Sequence, residues 1–312
     1  MNWRLKALLQ KTLAAMPMGA GEQINRELPV MLGRRRQDPA VRAVPIAALH
    51  GAPIARFGMA PDNVDVLEIG TGYNLFLALP LALMGYRVTT VDLARDVREK
   101  PVRSLLAGLQ PWLTELAGVP GARASAREME ARLAELRVEP TLESLLQNAG
   151  ITYVAPYDVD RFVSENAGRF GYVVSHCVFE HVPPEAFPPL LAMVREVSSS
   201  DALFSHQVDM RDHRSSEGVL VDSSLSYLDY LTFDQRRWRF WNGNALAYTN
   251  RWRKSDYCAA LRDAGCEIVA TDDIVYEGDF LPLERNRLHP DFLHYPESEL
   301  RVMASLICGR VR

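Results

Sequence analysis

An apolar strand ending in a glycine turn constrains this chain more than any other feature. The run is Val64-Asp65-Val66-Leu67-Glu68-Ile69, followed by Gly70-Thr71-Gly72-Tyr73-Asn74. Strands of this kind are buried on both faces and belong to parallel sheets flanked by helices. The Gly-x-Gly turns backbone N–H groups towards whatever lies beyond the strand end. Residues 75–84 then read as a helix, which Pro80 should kink or cut short.

The pattern repeats. Residues 87–92, 151–155, 171–176 and 202–208 read as further strands. Helical stretches fill 95–149, with Ala/Glu/Arg/Leu-rich segments at 123–137 and 141–149, and about 185–197. A helix over 255–264, closed by Gly265, precedes strands at 267–271 and 302–307. Strands alternating with helices predict an α/β fold with a doubly wound, mostly parallel, seven-stranded sheet. Residues 2–16 carry apolar groups at helical spacing. Residues 17–60 are interrupted by Pro17, Pro29, Pro39, Pro45 and Pro53, with Pro61 just beyond. The expected organisation is a helical N-terminal extension or lid over 1–60, a ligand-binding core over 61–209, an inserted cap over 210–250, and a segment over 251–312 that completes the core sheet.

Composition sets outer limits. The chain has 312 residues, 48% hydrophobic and 24% charged, which is ordinary for a soluble globular protein. Its four cysteines, Cys177, Cys258, Cys266 and Cys308, form no C-x-x-C pair. That argues against a zinc site and a disulfide framework, and predicts a reducing, cytoplasmic setting. Arg4 and Lys6 are not followed by the apolar core of a signal peptide, and no run approaches the roughly 20 apolar residues of a membrane span. A net charge of −4 gives no global attraction to nucleic acid.

The turn itself narrows the ligand. A dinucleotide site wants G-x-G-x-x-G, and Leu75 stands at the third glycine position. Glu68, inside the strand end, would repel a pyrophosphate but suits a cationic ligand. Asp92 ends the second strand about 20 residues beyond the turn, where an acid accepts hydrogen bonds from ribose hydroxyls.

With these residues the sequence resembles the class I S-adenosylmethionine-dependent methyltransferases, a Rossmann-like family. Glu68 through Asn74 match the family's first motif, with Asn74 where a third glycine often stands; asparagine tolerates left-handed backbone angles. Asp92 and Leu93 match the ribose-binding acid and its neighbour. Asp158 and Val159 match the adenine-contacting position after the third strand, although Asp158 also suits an Asx turn opening a helix. Ser175 and His176 end the fourth strand, and Phe179-Glu180-His181-Val182 is close to the family's Leu-Glu-His-Val. The resemblance covers about 64–208 well and 252–308 more loosely. It implies S-adenosylmethionine as cofactor and S-adenosylhomocysteine as product. It implies a cofactor site of Glu68, Gly70, Thr71, Gly72, Asn74, Asp92, Leu93, Asp158, Val159, Ser175 and His176.

A methyl transfer to oxygen or nitrogen also needs a proton acceptor. His206-Gln207-Val208-Asp209-Met210-Arg211-Asp212-His213 follows the fifth strand and concentrates two histidines and two aspartates. His206 or His213 is the expected base, tuned by Asp209 or Asp212, and His181 is the second choice. A divalent cation on Asp209, Asp212 and His213 is a third option, but no resident metal is expected. Ser175-His176-Cys177-Val178 lacks the Asp/Asn-Pro-Pro motif of the exocyclic-amine methyltransferases of DNA, and Cys177 lacks the Pro-Cys context of a C5 nucleophile. Arg236-Arg237-Trp238-Arg239-Phe240-Trp241 and Arg251-Trp252-Arg253-Lys254 can stack on a nucleotide or anionic substrate, or lie over a tryptophan-rich core. The expected partner is a small-molecule acceptor, anionic species included, of the kind met in sugar, polysaccharide or secondary-metabolite pathways. No membrane or nucleic-acid partner is expected, and a homodimer is allowed. RNA or protein methylation, and S-adenosylmethionine binding without catalysis, are the alternatives.

Overall fold

The first strand, β1 (Asp65–Ile69), is buried at every position. It pairs in parallel with β2 (Arg87–Val91) on one side and β4 (Phe170–His176) on the other. Such a strand needs helices on both faces, and the computed structural model shows both layers. The structure describes residues 3–15, 24, 38–58, 65–216, 222–243 and 248–312. Val64, Pro17, Pro29, Pro61 and the Arg34-Arg35-Arg36 run lie outside the described residues.

Among the described residues, β3 (Ile151–Val154), β5 (Ser198–Asp209), β6 (Cys266–Val275) and β7 (Val302–Val311) complete a seven-stranded sheet of order β3-β2-β1-β4-β5-β7-β6. β1 to β5 are parallel, and β7 runs antiparallel to both of its neighbours, β5 and β6, so the sheet is mixed. The strand order reverses between β1 and β4. Open α/β sheets bind ligands at the carboxyl ends of the strands at such a switch point.

Strand parity assigns the two faces. Val66, Val88, Tyr172, Val174 and Leu203 share a cluster with residues of α2 (Pro39–Phe57), α3 (Ala78–Leu83), α4 (Glu99–Gly108), α5 (Leu113–Ala117), α6 (Ala126–Arg137) and α7 (Leu142–Ala149). Leu67, Ile69, Val173, Phe204 and Val208 pack with α8 (Val159–Asn166), α9 (Phe187–Val197) and α12 (Lys254–Asp263). Further α-helices are α1 (Trp3–Ala14), α10 (His213–Ser216), α11 (Gln235–Asn242) and α13 (Glu297–Leu300).

Three local departures from the sequence expectations have physical causes. The helix after the glycine turn starts only at Ala78 and ends at Leu83, with Pro80 inside its first turn. The non-glycine left-handed residue of the turn is Leu75 (φ 59°), not Asn74. A non-glycine left-handed residue costs about 1–2 kcal/mol, and complete burial of the Leu75 side chain offsets it. Residues 39–57, expected to be broken by proline, form one helix through Pro45 and Pro53. Its inner face, with Ala40, Ala43, Val44, Ala47 and His50 all fully buried, holds it against the sheet.

A third cluster gathers Tyr227, Tyr230, Leu231 and Trp238 with Leu283, Phe292, Tyr295 and Leu300. The segment between β6 and β7 thus packs with the expected cap rather than with the sheet. α1 joins it, with Trp3 edge-on to Phe233 and Trp241. Arg253 binds these parts together. Its guanidinium is fully buried and donates to the carbonyls of Met210, Glu299, Leu300 and Val302 and to the Tyr230 hydroxyl. Among the described residues, no helix is long and apolar enough to cross a membrane.

Replacing Arg253 by Met strips those buried acceptors of their donor. The variant should lose about 3 kcal/mol or more of stability in a urea melt. A loss below about 1 kcal/mol would show that cap and sheet are held by other contacts.

Candidate active site at the β1–β4 switch point

The glycine turn closes over β1 by way of side chains. Gly70 has φ 82° and a Cβ there would stand 2.4 Å from Val178 Cγ2; Gly72 has φ 64° and open space where a Cβ would be. Both positions favour glycine for conformational reasons, and the open side of Gly72 leaves the turn approachable by a ligand. Asp92 accepts from Gly72 N at 3.2 Å and from Leu93 N at 2.7 Å. It therefore pins the turn to the end of β2 and retains further lone pairs. Leu93 itself is exposed.

Beneath the turn, Thr90 Oγ1 donates to Glu68 Oε2 at 2.7 Å. The 2.6 Å contact between Thr71 and Thr90 must then be donated by Thr71. Glu68 is 3% exposed. Burial pushes its carboxyl up to about 8; the Thr90 hydrogen bond works against this and the Asp92 charge adds to it. A cation beside Glu68 would pull the value back down. Asn74 is buried behind the same turn. Asp158 is exposed and caps α8, accepting from Arg161 N at 2.9 Å, next to exposed Val159.

The end of β4 sends residues to both faces. Ser175, fully buried, contacts His206 Nδ1 at 2.9 Å. The His206 ring is stacked on Phe179 (centroids 4.4 Å apart) and Phe204 (5.2 Å), and burial holds it down at about 3. At 1% exposure His206 lies inside the α9 layer, away from any open surface. On the opposite face half-buried His176 meets His50 of α2, with 3.3 Å between its Nδ1 and His50 Nε2. His50 Nδ1 lies 2.6 Å from Ser205 Oγ, and Tyr172 bridges Ser205 to the His50 carbonyl. Cys177 follows with φ 54°, a strained angle of the kind that gathers at functional sites.

The acidic run after β5 is organised by arginine. Both oxygens of Asp209 are taken by Arg211 at 2.6–3.2 Å, and those of Asp212 by Arg214 over the same range. Asp209, Asp212 and His213 therefore form no cation cage. His213 Nε2 stands 3.8 Å from Asp209 Oδ2, and its ring centre is 5.1 Å from that of exposed His181. His181 donates Nδ1–H to the Tyr248 carbonyl at 2.8 Å. Glu180, His181 and His213 each bring a ligand-type atom within 4.8 Å of the others. Of the basic-aromatic stretches, Arg251 is held by the Phe233 carbonyl and Gln235 over the Trp238 and Phe292 rings, and Arg253 is consumed as described. Both act inside the cap cluster.

Sequence reasoning did not find His50, Tyr172, Ser205 or Thr90. Strand parity was the available signal for three of them: Tyr172 and Ser205 alternate with residues of the opposite face, and Thr90 pairs with Glu68 in register.

No protein-family model and no curated protein matches the chain. Among solved structures it is similar to a SAM-dependent methyltransferase from Methanosarcina mazei, with 12% identity, 82% of this chain and 95% of that one covered, and a TM-score of 0.44. It is also similar to the 1,6-didemethyltoxoflavin-N1-methyltransferase of Burkholderia thailandensis (16%; 95% and 92%; 0.42), whose structure holds 1,6-didemethyltoxoflavin and S-adenosylhomocysteine. A third is the geranyl diphosphate C-methyltransferase of Streptomyces coelicolor A3(2) (11%; 86% and 78%; 0.41).

Burial lowers His50, His176 (to about 4) and His206 (to about 3), so all three are neutral in the fold near neutral pH. Unfolding below about pH 6.5 lets each take up a proton, whereas Glu68 releases one above its unfolded value. These four groups give a net uptake of about two protons near pH 5.5, so stability should fall as pH drops from about 6.5 towards 5. Urea melts at pH 7.5, 6.5 and 5.5 measure the slope; a flat or inverted profile would mean that the histidines are charged in the native state.

Proposed function

We propose that this protein is an S-adenosylmethionine-dependent methyltransferase acting on an oxygen or nitrogen nucleophile of a small molecule. The observation that carries the reading is the pairing of Glu68, buried under the glycine turn, with Asp92, which pins that turn, both at the sheet's switch point. A pyrophosphate would meet an acid beneath the turn instead of a third glycine. A ligand with a cationic amino group and a ribose diol meets groups suited to each. The open side of Gly72 and the unused lone pairs of Asp92 fit such a ligand.

On this reading Asp92, with Leu93, holds the ribose, and Asp158 with Val159 flanks the adenine. Glu68, Gly70, Thr71, Gly72 and Asn74 form the wall on the amino-acid side, with Ser175 and His176 at the strand end beside it. Bound S-adenosylmethionine supplies an electrophilic methyl on a sulfonium. The chain's residues then align the acceptor, where proximity and orientation contribute up to roughly 7–11 kcal/mol, and take its proton. His181 and His213, at the ends of β4 and β5, face the cap side; fully buried His206 supports Ser175. The small-molecule reading is supported by the packing of the 222–243 and 276–301 segments into one cluster that α1 joins, and by the engagement of Arg214, Arg251 and Arg253 within the protein, which takes them from any polyanionic partner.

Calorimetry with S-adenosylmethionine and with NADH tests the cofactor. S-adenosylmethionine should bind and NADH should not, and Asp92→Ala should weaken binding by about 10-fold or more. Tighter binding of NADH, or no binding of S-adenosylmethionine at millimolar concentration, would falsify the reading.

Glu68 adds a pH signature. The unliganded carboxyl carries its proton below about 8, and a cationic ligand prefers the carboxylate. Affinity should therefore rise between pH 6.5 and 8.5, with proton release on binding at pH 7, visible as buffer-dependent binding enthalpy. Glu68→Gln should abolish that dependence; its persistence in the variant would assign the proton elsewhere.

A further inference from the structure

We infer that His176 is the proton acceptor of this site, and that His50 is the positioning residue that fixes which of its nitrogens can act; the inference rests on the methyl-transfer reading.

The hydrogen bonds around His176 permit one order of donors. The His50 carbonyl oxygen only accepts, so Tyr172, 2.6 Å away, directs its single proton there. The phenol oxygen must then accept from Ser205 Oγ, also at 2.6 Å. With its proton committed, Ser205 Oγ accepts from Nδ1 of His50 at 2.6 Å. His50 is therefore the Nδ1–H tautomer, and its bare Nε2 faces His176 Nδ1 at 3.3 Å. His176 in turn donates Nδ1–H and keeps its lone pair on Nε2.

Placement makes that lone pair useful. His176 is the last residue of β4, beside the switch point, and is half-buried, whereas Ser175 before it is fully buried. Its Nδ1 edge is turned into the α2 layer. The opposite edge, with Nε2, is the one that can meet an acceptor. The network ends on a carbonyl that cannot take a covalent proton, so His50 orients the ring and does not carry the proton away.

The groups facing His176 are Arg42 and His50 from α2 and Asp209 from β5; burial and Arg42 lower the ring and Asp209 raises it. The result, about 4, leaves the ring unprotonated at neutral pH but weakly basic. In the step, the X–H proton passes to His176 Nε2 as the X–CH₃ bond forms, and the electron pair of the broken S–C bond stays on sulfur.

The test reads tautomers directly. In protein with ¹⁵N-labelled histidine, two-bond proton–nitrogen correlation at pH 7.5 should show both His50 and His176 as Nδ1–H. A charged or Nε2–H His176 overturns the assignment. Tyr172→Phe frees the Ser205 proton for His50 Nδ1, so both rings should switch to Nε2–H, with S-adenosylmethionine affinity changed by less than about 2-fold. Rings that keep the wild-type tautomers remove His50 from the positioning role. Should that variant not fold, Ser205→Ala, which leaves the Tyr172 bond to the His50 carbonyl intact, should release the pair into a tautomer mixture; a single unchanged form counts against the network. Turnover of an acceptor found in a panel of phenols, alcohols and amines completes the test. His176→Gln should lower kcat by about 10²-fold or more at saturating S-adenosylmethionine. Wild-type turnover in that variant overturns the base assignment. Absence of cofactor binding with the tautomers as assigned would instead defeat the methyl-transfer reading alone.

Discussion

The buried guanidinium of Arg253 is the charge on which the carboxyl end of this sheet depends. An uncompensated buried cation is among the most expensive features a protein can hold. Here the compensation comes from carbonyls on three segments, at the end of β5, before β7 and at the start of β7, together with a phenol from the cap. Satisfying one side chain therefore fixes the separation of cap and sheet. The pairs Asp209–Arg211 and Asp212–Arg214 continue the pattern. Together they hold the chain rigid where β5 leaves the sheet, next to the strand ends that form the candidate site.

At that site the polar groups are split between the two faces of the sheet. On one face Ser175 and His206 sit among aromatic rings. On the other His176, His50, Ser205 and Tyr172 close a network on a backbone carbonyl. Strand parity alone decides which histidine has access to what, since neighbouring residues point to opposite faces. Glu68 and Thr90 show the same economy across β1 and β2, where paired register places a hydroxyl against a buried acid.

Much of this was legible in the sequence. The strands were readable because apolar runs alternate with helical spacing and are punctuated by glycine and proline. The glycine turn and Asp92 were readable because close backbone approach and hydrogen-bonding acids require particular residues. The first 60 residues were harder. Rules of local propensity place breaks at Pro45 and Pro53, but burial of a whole helix face outweighs two missing hydrogen bonds, and so His50 was hidden in what read as irregular chain. His206 was prominent in the sequence because it sits in a charged run; β5 extends through Asp209 and turns its ring inward. Leu75 shows the same limit at single-residue scale, as a left-handed backbone that only tertiary burial can hold.

Helix α2 has a consequence for how such a chain can change over time. It lies outside the alternating strand–helix core in sequence but inside it in space, and it supplies the ring that meets His176. An amino-terminal segment that were only a cover could be exchanged wholesale to admit new molecules. This one cannot be traded without also replacing a neighbour of the strand-end histidine, so variation in what enters the crevice and variation in how protons are handled there are inherited as one block.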